Sequence, residues 1–94
     1  MSLHIRVYGR VQGVGYRAWT VYQALDLQLT GFVRNRRDRS VEIFAEGDEK
    51  SLNMLLERCY SGPTFSRVDK IEVVSHPDAP MPQMLDTFTS SQTV

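Results

Sequence analysis

The chain has 94 residues, 41% hydrophobic and 23% charged, with a formal net charge of zero. That length supports one domain with a modest core, and no apolar run approaches the length of a bilayer span. The opening Met-Ser-Leu-His-Ile-Arg lacks the regions of a secretory signal, so the expectation is a single cytoplasmic domain over residues 1–94, monomeric by default. One cysteine, Cys59, excludes an internal disulfide and a zinc site built from clustered cysteines.

Leu3, Ile5, Val7, Gly9 and Val11 alternate with His4, Arg6, Tyr8 and Arg10, which predicts a first strand with one buried face. Past Gly13 and Gly15 the period lengthens. Ala18, Val21, Tyr22 and Leu25 recur at helical spacing and predict a first helix over 16–27. Residues 30–34 read as a second strand and 41–46 as a third, with Val41, Ile43 and Ala45 inward and Glu42, Phe44 and Glu46 outward. Gly47-Asp48 then offers a break and an N-cap, and Leu52, Leu55, Leu56 and Cys59 form the stripe of a second helix ending near Gly62-Pro63. A fourth strand follows over 68–74, then a proline-bearing loop over 76–82 and a weak final strand over 85–90. The order β-α-β-β-α-β predicts a ferredoxin-like α+β sandwich, an antiparallel sheet with two helices on one face. That fold serves many activities and decides nothing about function by itself.

The charge is unevenly placed. The first 39 residues hold seven arginines, no lysine and two aspartates, a surplus of five positive charges. Arginine forks suit phosphate or carboxylate, so an anionic ligand is one reading and a solvated basic face the other. The loop Gln12-Gly13-Val14-Gly15-Tyr16-Arg17 sharpens the choice. Its glycines allow converging N–H groups at a helix start, where the first donors lack intrahelical partners and the dipole is positive. No Ser, Thr, Asp or Asn caps that start, and Arg17 puts a cation in the first turn, where the dipole disfavours it. A bound phosphate would resolve both. Asn35, at the end of the second strand, can orient a water without ionising, or serve only as a turn residue.

These residues closely resemble the acylphosphatase family, whose two signatures stand here as Val7-Tyr8-Gly9-Arg10-Val11-Gln12-Gly13-Val14-Gly15-Tyr16-Arg17 and Gly31-Phe32-Val33-Arg34-Asn35-Arg36-Arg37-Asp38. A weaker likeness covers Gly62-Pro63-Thr64-Phe65-Ser66-Arg67-Val68-Asp69. The resemblance implies hydrolysis of the carboxyl–phosphate bond of a small acyl phosphate to a carboxylate and inorganic phosphate, with no metal or other cofactor. It puts the phosphate on the backbone amides of Gln12, Gly13, Val14, Gly15, Tyr16 and Arg17 and on the Arg17 side chain, and gives Asn35 the attacking water. His4 and His76 then read as surface residues, since no Asp, Glu or His cluster has metal-ligand spacing.

The chain departs from the family where glycine is usual, at Gln28 and Arg39, both plausible left-handed positions, and in its final strand, where Thr87-Phe88-Thr89-Ser90 lacks the usual apolar and basic ending. Two other readings stand beside the hydrolase. An RNA-binding ferredoxin-like sheet would use Tyr8, Phe32 and Phe44 with the arginines, but Glu42 and Glu46 flank Phe44 on the strand that should be basic, so no nucleic-acid partner is expected. A non-catalytic anion-binding module is the other, and the Arg17–Asn35 pair speaks against it.

Overall fold

The computed structural model describes residues 1–76 and 86–94. Its elements are β1 (Ser2–Arg10), α1 (Tyr16–Asp26), β2 (Thr30–Asn35), β3 (Val41–Glu46), α2 (Glu49–Ser61), β4 (Arg67–Val73) and β5 (Phe88–Ser90). The expected loop over 76–82, past His76, and Leu85 of the expected last strand lie outside the described residues.

The strands lie in the order β4-β1-β3-β2-β5. The first four make the antiparallel ferredoxin-like sheet that the element order predicts. β5 corrects the all-antiparallel expectation: it pairs with β2 in parallel, Val33 opposite Ser90, so the whole sheet is mixed. The element order alone does not set its direction, because β5 lies not beside β4, the strand before it in the chain, but beside β2 at the other edge of the sheet. One apolar core joins Ile5, Val7, Val33, Val41, Ile43 and Ala45 of the sheet to Tyr16 and Ala24 of α1 and Leu52, Leu55 and Cys59 of α2.

α2 is built as its sequence indicates. The Asp48 carboxylate accepts from the Ser51 N–H at 2.9 Å, and the buried stripe is Leu52, Leu55 and Cys59. α1 differs. Its buried face is Tyr16, Thr20 and Ala24, whereas Ala18, Tyr22 and Leu25 are exposed. Thr20 tolerates burial because its hydroxyl donates to the Tyr16 carbonyl at 2.8 Å, which leaves no polar group unsatisfied.

Gln28 and Arg39 both take left-handed backbone, at φ 58 and φ 76. Gln28 closes α1: its N–H donates to Leu25 O at 3.0 Å and that of Leu29 to Ala24 O at 2.9 Å, the Schellman arrangement whose pivot is usually glycine. Arg39 ends the β2–β3 hairpin turn, donating to Arg36 O at 3.0 Å.

The opposite face of the sheet holds a second surprise. Glu42 lies fully buried, opposite Arg6 on β1 and Arg34 on β3's other neighbour. Its carboxylate accepts from His4 Nε2 at 2.6 Å, Arg34 Nε at 2.6 Å and Arg36 Nη1 at 3.1 Å. Burial alone would raise the Glu42 pKa, but these donors outweigh it and hold the carboxyl below its ordinary range. His4, expected at the surface, is therefore a mostly buried partner of a carboxylate. Arg34 also stacks over Phe32, 5.0 Å from the ring centroid, and Phe32 lies against Phe44. Part of the arginine surplus thus serves an internal ion cluster.

Candidate active site

Strand β1 delivers residues 11–17 to the rim of the sheet, where Val11 is buried and anchors the loop's entry. Gly13 and Gly15 follow at φ 74 and φ 81, and Gly15 is the cap residue of α1. A Cβ at either glycine would meet no atom within 4 Å, so what these positions require is the left-handed rotation and not space. No side chain caps α1 and no acidic residue lies in its first turn, which leaves its leading N–H groups without a side-chain acceptor among the described residues.

The far end of the loop is pinned by Tyr16, whose hydroxyl donates to Cys59 O at 2.6 Å in the core. Burial, reinforced by the adjacent Cys59, raises the Tyr16 pKa far above its ordinary value, so the phenol stays protonated and donates. The Cys59 thiol is pushed up to about 12, mainly by burial, and is no nucleophile.

Between this loop and the end of β2 lies a cavity of about 300 Å³ lined by Gly13, Gly15, Tyr16, Arg17 and Asn35, with Val11, Ala18 and Ser90 completing the wall. Arg17 and Asn35, 18 positions apart in the chain, thus face one space. Among the described residues the Arg17 guanidinium has no hydrogen-bond or ion-pair partner. Asn35 Oδ1 is buried and likewise accepts from nothing among them. A buried acceptor without a donor is costly, and a small rotation of the Asn35 side chain toward the cavity would let a hydrogen-bonding ligand or water satisfy it.

Two of the six expected loop positions do not line the cavity. Val14 packs against the core, and the Gln12 side chain turns away to the β2–β3 hairpin, donating to Arg36 O at 2.9 Å and Ser40 O at 2.8 Å. Their backbone amides are a separate matter from these side chains. Ala18 and Ser90 are the wall residues that sequence reasoning does not assign to the site; Ala18 reads as part of the helix stripe, and Ser90 arrives through the parallel pairing of β5 with β2. No local signal at Ser90 announces that pairing. Among the described residues no group of three or more His, Cys, Asp or Glu could gather a metal ion, and no helix is long and apolar enough to cross a membrane.

Among the described residues, an uncapped helix start, two left-handed glycines, an unpaired guanidinium and an asparagine surround one cavity of a ferredoxin-like domain, an arrangement suited to an anion. The acylphosphatase family model matches residues 3–89. An acylphosphatase of Azorhizobium caulinodans is 48% identical over 71 residues, 76% of each chain, and one of Rhizorhabdus wittichii is 46% identical over all 94 residues and 91% of its own length. The crystal structure of acylphosphatase from Bacillus subtilis superposes with a TM-score of 0.81 at 36% identity, covering 96% of this chain and 97% of that one. The chain belongs to the acylphosphatase family.

Proposed function

We infer that this chain, acting as one domain over residues 1–94, hydrolyses the carboxyl–phosphate bond of small acyl phosphates, with Arg17 and the loop amides holding the phosphate and Asn35 placing the water. The observation that carries the division of roles is that Asn35 and Arg17 line one cavity, with the Asn35 side-chain oxygen unpartnered among the described residues. An amide oxygen accepts a hydrogen bond from water and aims its lone pair, but it cannot take the proton away.

The chemistry is suited to such a site. The water oxygen forms a bond to phosphorus as the bond from phosphorus to the acyl oxygen breaks, and the carboxylate leaves with the electron pair. The water's proton goes to the phosphate being formed. Because the carboxylate is already a good leaving group, the protein supplies position and charge stabilisation, the latter from the Arg17 fork and the N–H groups of the loop. No cofactor or metal has a part in these steps.

The nucleic-acid alternative needs an open aromatic and basic sheet face. Phe32 and Arg34 are both about 2% exposed, and Glu42 occupies the centre of that face, which supports a small-molecule partner in preference to RNA. We read the molecule as a cytoplasmic monomer. A sole cysteine kept as a buried thiol fits the cytoplasmic part of this reading.

The test is release of phosphate from a simple aryl acyl phosphate in the presence of a metal chelator. Arg17→Ala and Asn35→Ala are each expected to lose roughly 10²-fold or more in kcat/KM with the fold retained. Activity surviving in both variants would remove the assigned roles, and activity abolished by the chelator would remove the metal-free mechanism.

A further inference from the structure

Strands β1 and β2 are not neighbours. β3 lies between them, so the loop that follows β1 and the Asn35 that ends β2 are separated by two strand spacings, about 10 Å. One side chain crosses that interval directly. Gln12 Nε2 uses both of its hydrogens, one on Arg36 O at 2.9 Å and one on Ser40 O at 2.8 Å. Arg36 is the residue after Asn35, and Ser40 O is the same oxygen that closes the hairpin by accepting from Arg36 N at 2.8 Å. Gln12 is thus bonded to both sides of the turn that carries Asn35, while its own backbone begins the loop.

Each end of the interval is anchored on its own side, the loop by buried Val11 and by Tyr16 on Cys59, Asn35 by its pairing with Val41; the Gln12 bonds join the two ends directly. Building on the hydrolase reading above, we propose that the Gln12 side chain is a positioning residue: it sets the separation between the bound phosphate and the water held by Asn35. A fixed separation matters most for the chemical step, since a misplacement of about 1 Å can cost up to about 10²-fold in rate while leaving binding intact. Phosphate affinity is expected to depend mainly on Arg17 and on the loop amides beyond Gln12, to which the Gln12 side chain makes no hydrogen bond.

Gln12→Met keeps the length and removes both donors. Its kcat is expected to fall roughly 10- to 100-fold, with KM and competitive inhibition by inorganic phosphate nearly unchanged. Gln12→Glu places a carboxylate against two carbonyl oxygens, and its kcat relative to wild type is expected to rise as pH falls and the carboxyl regains a proton to donate. Both are assayed at a temperature where circular dichroism shows them folded. If wild type is active and both variants keep its kcat, the positioning role is overturned and the hydrolase reading stands. Loss confined to KM, with phosphate inhibition weakened in parallel, assigns Gln12 to the shape of the loop and overturns the role as well. Wild-type protein that releases no phosphate, or retained activity in Arg17→Ala and Asn35→Ala, overturns the reading beneath it.

Discussion

Tyr16 donates its phenol hydrogen to the carbonyl oxygen of Cys59, an oxygen that α2 itself leaves without a helical partner. Four residues after Cys59 comes Pro63, which has no N–H to return. The first residue of α1 therefore completes the last turn of α2 and fixes the start of α1 against the core. Tyr16→Phe leaves that carbonyl buried and unpaired, so a loss of about 1–3 kcal/mol is expected in urea denaturation.

Inorganic phosphate, the product, offers a way to read the cradle without turnover. It is expected to raise the melting temperature of wild type and of Asn35→Ala, and to have little effect on Arg17→Ala. At 100 times its dissociation constant a ligand specific to the native state adds about 2.7 kcal/mol, enough to see by calorimetry. Equal shifts in all three proteins would show that phosphate is held elsewhere.

Glu42 gives the molecule an acid-sensitive element remote from the cavity. Its native pKa is depressed, so its contribution is present above the unfolded carboxyl value of about 4.3 and is lost as pH falls through the lower native value. Glu42→Gln removes the carboxylate shared by His4, Arg34 and Arg36 and is expected to cost about 3–5 kcal/mol at neutral pH. The gap between wild type and variant should close as acid denaturation is followed below about pH 4. A gap that stays constant through that range would show that the carboxylate is not the origin of the difference.

Gln28 and Arg39 occupy left-handed positions that favour glycine. Gln28→Gly and Arg39→Gly are each expected to stabilise the fold by up to about 1 kcal/mol in denaturant titrations, with kcat unchanged. Neither side chain reaches the cavity wall. Destabilisation by either change would mean that the side chain makes a contribution larger than its backbone strain.

The parts legible in the sequence are those set by local rules. Gly13 and Gly15 before an uncapped helix, Asp48 before a capped one, and Asn35 after a short apolar run each carry their meaning within a few residues. What the sequence concealed depends on partners far along the chain. Glu42 looks like an exposed strand residue until His4, Arg34 and Arg36 converge on it from both neighbouring strands. On α1 the apolar spacing marks the core face only in part: Val21 packs against the core, whereas Thr20, its hydroxyl satisfied within the helix, is buried and Ala18, Tyr22 and Leu25 stay outside. Ser90 and the Gln12 bridge are products of strand order, which no single segment encodes.

That strand order also has a bearing on when activity can arise. The cradle for phosphate belongs to β1 and α1, contiguous in the chain, whereas Asn35 reaches it only after β3 has inserted between β1 and β2. The start of α1 is in turn held by the Tyr16 bond to Cys59 of α2, so both halves of the candidate site depend on partners far along the chain, and the site is complete only once the sheet and both helices are assembled.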